Sequence, residues 1–466
     1  MKYFKLVLLT LLVFSFSCKV DPTSKSSKNN TVEKDRNIYA LPDWAKDATI
    51  YEVNLRQYTE EGTFNSFVSH LPRLKGMGVD ILWFMPIYPI SETKRKGTLG
   101  SYYAVSDYKD VNPEHGTKED FKAMVKAIHD HDMHIIIDFV PNHTGWDSPW
   151  IKDNPEWFTQ DENGNIIDPI EPRTGESWGW TDVADLNYDN MDMRKEMISS
   201  FVYWIEEMDV DGFRQDVAHN VPQDFWDTAS AELLKIKPLF LLAESEVVSH
   251  RNSKAFHSTY GWSFHHILSD IAKGDKNASD IIEWYKQDSV KFKNGFHMHF
   301  TSNHDENTGA GTVFDRLGDA HKALAVITCT FQGMPLIYGG QEEPLRKRLK
   351  FFEKDNIGFD QYAYSEFYKR LFLLKHSSKA LLNGKYGDET PDFFTNNEQV
   401  LYFKREKAGD AVTVIVNLGK EAENIKLQED LKGKEIFDNS KFDLKKGVVI
   451  TLEPYEYKVV SLYNNI

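Results

Sequence analysis

Cysteine is nearly absent. Two occur in 466 residues, Cys18 and Cys329, too few for a disulfide-built scaffold. A basic stripe is missing as well: the formal net charge is −16, which argues against a nucleic-acid partner. No fixed-period repeat runs along the chain. No apolar run is long enough to span a bilayer as a mature helix; the N-terminal one covers only about Leu6–Phe16. No Gly-rich nucleotide loop follows the first strand-like run, so nothing calls for an organic cofactor.

What is present is ordinary globular composition, 41% hydrophobic and 27% charged, with a surplus of rings: 11 Trp and 21 Tyr. The length favours two or three domains. Aromatic faces serve a large core, and they also stack on the apolar faces of sugar rings.

The N-terminus reads as an export signal. Lys2 and Lys5 precede the apolar run, and Ser15-Phe16-Ser17-Cys18 closes it. A small residue before Cys at that place resembles a bacterial lipoprotein signal, with residues 1–18 as the signal segment and Cys18 as the lipidation site. Residues 19–39 read as a tether, rich in Ser, Lys, Asn and Asp. The expectation is an exported protein, lipid-anchored to a bacterial membrane on the periplasmic side or the cell surface. Cys329, inside the apolar run Ala323–Phe331, reads as a buried core thiol.

From Ala48 onward, short apolar runs alternate with amphipathic stretches. Thr49–Leu55, Val79–Met85, His134–Val140, Val210–Arg214 and Pro238–Ala243 read as strands. So do Phe256–Trp262, His297–Ser302 and Pro335–Tyr338. Helices are expected over Thr63–Lys75, Lys118–Asp130, Met193–Met208 and Asp224–Lys235. Strands apolar on both faces and alternating with helices imply a parallel sheet covered by helices. Eight of them predict an α/β fold of the (β/α)8 TIM barrel type over residues 40–380. The period alone also allows an open doubly wound sheet. Residues 144–187 break the rhythm, hold five Trp and read as an inserted loop-rich domain after the third strand. Residues 381–466 show short alternating segments, Gln399–Lys404, Ala411–Asn417, Glu435–Phe437 and Val448–Leu452, and read as a C-terminal antiparallel β-sandwich.

Barrel enzymes place chemistry at the C-terminal ends of their strands. There the sequence puts Asp138-Phe139-Val140-Pro141-Asn142-His143, Gly212-Phe213-Arg214-Gln215-Asp216, Leu242-Ala243-Glu244 and Ser302-Asn303-His304-Asp305. One such Asp is more often a turn or helix cap; four polar ends in order on one rim are not explained that way. These segments resemble the four signature regions of the α-amylase family, glycoside hydrolase family 13. Asp185-Leu186-Asn187 and the stretch 333–342 resemble two further family motifs.

The resemblance implies a retaining glycoside hydrolase acting on α-1,4-glucans such as starch or maltooligosaccharides. Asp216 would be the nucleophile, Glu244 the acid/base and Asp305 the third carboxylate. It implies substrate contacts from Tyr103, His143, Arg214 and His304, and one structural calcium ion held through Asn142 and Asp185. Asp138 reads as a support for Arg214 or for the loop. His219-Asn220 stand where many amylases carry Lys-His, which leaves the bond-breaking step intact and opens the leaving-side specificity. A same-family alternative acts on α-1,6 bonds, on both linkages, or transfers glycosyl units. An alternative of another class is a non-catalytic glucan binder. His129, His131 and His134 fit no common zinc spacing. Lys94–Lys96 and Arg346–Arg348 read as solvated surface.

Overall fold

The computed structural model describes residues 39–462 apart from 172 and 395. The expected signal segment, Cys18 and the tether up to residue 38 lie outside the described residues.

Eight parallel strands close into a barrel. In chain order they are Ile50–Val53, Ile81–Phe84, His134–Phe139, Gly212–Gln215, Phe240–Ala243, Ser258–Tyr260, Phe296–Phe300 and Met334–Tyr338. The first pairs with both the second and the eighth, Ile50 against Ile81 and Leu336, so no open edge remains. This removes the open-sheet alternative. Side chains alternate in and out with the period-two pleat. Ile50, Ile81, Trp83, Ile136, Phe240, Leu242, Tyr260, Met298 and Leu336 fill the barrel interior. Tyr51, Leu82, Ile135, Ile137, Phe213 and Leu241 join the outer core beneath the helices. Two-sided burial is why these strands read as continuous apolar runs.

The surrounding helices are local sequence made visible. Lys118–Asp130 starts at a capping box in which Thr117 and Asp120 satisfy each other's backbone N–H. It buries Phe121, Met124, Val125 and Ile128 along one stripe. The single helix expected over Thr63–Lys75 is instead two, Phe64–Val68 and Leu71–Met77. Pro72 sits in the first turn of the second, where its missing N–H costs nothing, while a continuous helix would have needed that donor.

The insertion is anchored by a pair of three-residue strands, His143–Gly145 antiparallel to Val183–Asp185. Strands this short carry no readable period. The C-terminal region forms a six-stranded sheet built on Val400–Lys407, Asp410–Asn417 and Tyr457–Ser461, with a two-stranded sheet, Glu423–Lys426 and Val449–Leu452, beside it. Val400, Tyr402, Ile415, Ile425, Leu452 and Val460 form its core. The strand expected at Glu435–Phe437 lies instead at Leu431–Glu435. The Glu435 carboxylate then accepts from the N–H groups of Phe437 and Asp438 and turns the chain. Arg405, fully buried, reaches out of this sheet and donates to the carbonyls of Phe331 at 2.8 Å and Asp388 at 3.0 Å. Cys329 is buried, and burial pushes its thiol up to about 12.

Several buried histidines are held neutral. Burial lowers His115 and His257 to about 4 and His299 to about 3. The unfolded chain takes up those protons near about pH 6.5, the folded one only near 4, so this stability is full above 6.5 and lost as pH falls toward 4. Each group costs on the order of 1–3 kcal/mol by pH 4. The melting temperature is therefore expected to fall steeply between about pH 6.5 and 4.5. A flat profile by scanning fluorimetry across that window would contradict the neutral buried histidines.

Candidate active site

The interior row of each strand ends in polar groups at the C-terminal rim, following the same alternation that packs the barrel. Glu52 follows Ile50, Asp138 follows Ile136, and Arg214 and Asp216 follow Gly212. The fourth and fifth strands pair with Gln215 opposite Ala243, which brings Asp216 level with Glu244. Arg214 is fully buried and holds three carboxylates at once: Asp138 at 2.8 Å, Asp216 at 2.7 Å and Glu244 at 2.9 Å. Its Nε donates to the Tyr260 hydroxyl at 3.1 Å.

Val217, directly after Asp216, has φ +44°, a left-handed backbone that a β-branched residue adopts only under constraint. The constraint is visible: its N–H donates to Glu244 Oε2 at 2.9 Å. One strained peptide thus fixes the two carboxylates relative to each other.

Asp216, Glu244 and Asp305 line one cavity of about 280 Å³ together with Tyr103, His143 and His304. Tyr103 Oη lies 2.6 Å from His304 Nε2 and donates to Asp138 at 3.1 Å. The structure therefore gathers the sequence-predicted catalytic residues and Tyr103, His143 and His304 around one space, with Arg214 beneath them. Asp138 does accept from Arg214, as its place in the sequence suggested.

The charge balance is lopsided. Glu52, Asp138, Asp216, Glu244 and Asp305 crowd around two near cations, Arg214 and His304. Burial, with Glu244 and Asp138 adding, holds Asp216 well above the ordinary carboxylate range against the pull of Arg214. Burial likewise raises Asp138 to about 7 and shifts Asp305 upward. Five carboxyls around two cations keep at least one proton at neutral pH, and a general acid needs one. Burial opposes a charge on His304, but Asp305 and Glu52 outweigh it and raise the imidazole to about 9. His143 is lowered by burial to about 4 and is neutral.

Asn142 and Asp185 stand apart from this cavity on the strand pair that roots the insertion. Asn142 Nδ2 lies 3.0 Å from His143 Nδ1. Asp185 is buried with no cation beside it, and burial raises its carboxyl to about 7. Among the described residues no group of three or more His, Cys, Asp or Glu side chains is placed to hold a metal ion. An ion here would rest on one carboxylate and neutral oxygens. His129 instead faces Asp211 at 2.8 Å, and His134 stacks on Trp44.

Lys94 and Arg346–Arg348 are exposed, in line with the solvated-surface reading, yet several side chains of the two basic runs have partners. Lys96 pairs with Asp182 of the insertion at 2.7 Å, and both line the cavity. Lys94 Nζ sits 3.2 Å over the Trp146 ring, Arg346 caps Phe314, and Lys347 pairs with Asp355 at 2.7 Å. Apart from Lys347–Asp355, such pairings join segments far apart in sequence, so composition could not show them. Gly97, at φ +65°, lets Phe352 close against this loop; a Cβ there would come within 2.4 Å of the Phe352 Cβ. Phe351 stacks on Tyr103 with rings 6.2 Å apart. Of the insertion's tryptophans, Trp180 lines the cavity and Trp178, 40% exposed, stacks on it at 5.6 Å.

Sequence reading missed Glu52, Lys96, Asp182 and the Phe351-Phe352 wall. Only Glu52 left a signal: one charge inside the otherwise apolar first strand.

Comparison with known proteins agrees with this geometry. Residues 25–364 match the model for the alpha amylase catalytic domain, and residues 394–459 match that for the maltogenic amylase C-terminal domain. The chain is 26% identical to Alpha-amylase 3 of Dictyoglomus thermophilum, over 90% of this chain and 94% of that one. The crystal structure of an alpha-amylase from Lactobacillus plantarum superposes with a TM-score of 0.79 at 27% identity, covering 90% of this chain and 100% of that one. That of a maltogenic alpha-amylase from Thermotoga neapolitana does so at 0.79 and 28%, covering 90% and 99%.

Proposed function

This chain belongs to the alpha-amylase family and is a glycoside hydrolase, and from that premise we propose that it cleaves α-1,4-glucosidic bonds of starch or maltooligosaccharides with retention at the anomeric carbon. The observation that carries the mechanism is the single guanidinium of Arg214 ion-paired with both Asp216 and Glu244. The two carboxylates project from neighbouring paired strands, which lie about 4.7–4.9 Å apart. That spacing suits the roughly 5–5.5 Å separation of a retaining pair better than the wider gap of an inverting one.

Asp216 attacks the anomeric carbon while Glu244 gives its proton to the departing glycosidic oxygen. The product is a glycosyl ester on Asp216 and a free sugar hydroxyl. Glu244, now a carboxylate, takes a proton from water; the resulting hydroxide attacks the same carbon and frees Asp216. Asp305 and charged His304 grip sugar hydroxyls and favour the flattened ring of the transition state. Neutral His143 offers a further hydrogen bond, and Tyr103 and Trp180 supply apolar faces. Incubating the purified protein with soluble starch, and separately with pullulan, tests the reading. New reducing ends from starch are expected. Pullulan cleavage with inert starch would move the specificity to α-1,6 bonds, and binding without cleavage would overturn the enzyme assignment at this site.

Calcium fits as a structural ion beside the insertion. The supporting observation is the uncompensated, buried Asp185 carboxyl, with Asn142 as a second oxygen donor. The ion would offset that charge and tie the insertion to the barrel; no bond-breaking step runs through it. Calcium is expected to raise the melting temperature by a few degrees and a chelator to reverse it. No shift in either direction would remove the ion from the reading.

For localisation, the run Leu6–Phe16 ending at Cys18 supports a lipid anchor on the mature protein. Among the described residues no helix is long and apolar enough to cross a membrane. Cys18→Ser is expected to shift the protein from the membrane fraction to the soluble one. Unchanged partitioning would rule the anchor out.

A further inference from the structure

We propose that Glu52, buried in the first barrel strand, is a positioning residue of the reaction, holding the His304 imidazole as a doubly protonated cation aimed at Asp305 and the cavity. The proposal rests on the reading of this cavity as a glycosidase centre.

The geometry argues it through hydrogen-bond polarity. His304 Nδ1 lies 2.5 Å from Glu52 Oε1. A carboxylate oxygen only accepts, so Nδ1 carries a proton. On the other side His304 Nε2 lies 2.6 Å from the Tyr103 hydroxyl oxygen. With Asp138 ionised, that hydroxyl gives its own proton to Asp138 at 3.1 Å, which leaves its oxygen to accept from Nε2. Both ring nitrogens therefore carry hydrogens, which defines an imidazolium. Nε2 also faces Asp305 at 3.4 Å, so the cation opposes the upward push of burial on that carboxyl and presents an N–H at the cavity edge.

Glu52 is placed for this and nothing else visible. It is fully buried between Trp83 and Tyr338 of the flanking strands, and its second oxygen, Oε2, has no protein partner. Its first oxygen also accepts weakly from the His304 backbone N–H at 3.4 Å, which locks the ring's approach. An isolated carboxylate in this position would be costly; among the described residues its close counter-charge is His304, with Arg214 beyond. The groups facing His304 are Glu52 from the first strand, Asp138 from the third, Arg214 from the fourth, Asp305 from its own loop and the Tyr103 hydroxyl. Arg214 repels a charge on the ring, and the three carboxylates favour it. Of these only Glu52 bonds Nδ1.

Glu52→Gln is the test, because the amide oxygen still accepts from Nδ1 while the charge is gone. In the wild type the loss of the His304 proton is expected near 9, as a separate step on the alkaline limb of kcat/KM beyond the one set by the general acid. In the variant that step should move at least about one unit lower, so that kcat/KM falls about threefold at pH 8.5 relative to wild type and hardly at all at pH 6. A drop of equal size at every pH would mark a merely structural residue and overturn the proposal, as would an unshifted step. Should the variant not fold, histidine-selective 15N NMR of the wild type decides, with His304→Gln to assign the signal. An imidazolium at pH 7.5 supports the proposal and a neutral ring overturns it. Inert starch and pullulan with an imidazolium still in place would mean that the glycosidase reading had failed while the Glu52–His304 pair stood.

Discussion

Replacing Asp216 with Asn is expected to abolish turnover while leaving the protein folded. The amide cannot form the glycosyl ester, so the reaction loses its covalent route. Loss of a nucleophile commonly costs on the order of 10⁴-fold or more in kcat, equivalent to about 5 kcal/mol of barrier. Stability should hardly change, and the reason is specific. Arg214 gives up one of three carboxylate partners and keeps Asp138 at 2.8 Å and Glu244 at 2.9 Å. The cation is not stranded, and a cluster already overloaded with negative charge becomes more balanced. Release of reducing sugar measured with excess enzyme, beside a melting curve, separates the two effects. Wild-type activity in this variant would remove Asp216 from the nucleophile role. A collapse in melting temperature would show that its charge holds the barrel together.

Arg214→Met should do the opposite, harming fold and activity together. Three carboxylates, of which Asp138 is fully enclosed, would then lie in the barrel mouth with no cation bonded to them. Stranding buried charge in this way typically costs about 3–5 kcal/mol. The direction with pH follows from linkage. Asp138 already stands at about 7 with Arg214 present, and without it the carboxyls move further above their unfolded values. A carboxyl whose folded value exceeds its unfolded one binds its proton more tightly in the folded state. The variant is therefore penalised most at high pH, and the penalty shrinks as pH falls toward the unfolded value near about 4. The melting-temperature gap to wild type should accordingly narrow from pH 8 to pH 5.5. A gap that is constant or widens on acidification would mean that the methionine's poorer fit, not stranded charge, is the cause.

Much of this was legible in the sequence because a parallel barrel leaves a blunt record. Strands such as Ile81–Phe84 are buried on both faces, so they appear as unbroken apolar runs, and the polar residue ending each run marks the rim. The two-residue step from Arg214 to Asp216 also reads directly, since a strand puts both on one face. What escaped was whatever depends on distant segments meeting. Lys96 and Asp182 are 86 positions apart (182 − 96) and become partners only when the insertion folds back. Phe351 acquires meaning only against Tyr103. Glu52 was passed over because one acidic residue in a strand gives no sign of which way it faces; the barrel's pleat turns it inward. The break at Pro72 and the turn at Glu435 show the other limit. Periodicity outlines an element, but a missing N–H or a side chain accepting from the backbone decides where it stops.

The buried Arg405 bears on how this protein can be taken apart. A change in sequence texture near residue 381 invites a cut there, as though the sheet region were an appendage with its own history. Yet its guanidinium occupies carbonyls at Phe331, in the turn that feeds the eighth barrel strand. That strand carries the turn from which the cavity's Phe351-Phe352 wall descends. Shortening the chain would thus leave acceptors unfilled inside the remaining piece and loosen a wall of the catalytic chamber from behind. For anyone swapping modules between relatives, the two regions are best exchanged as a single inheritance.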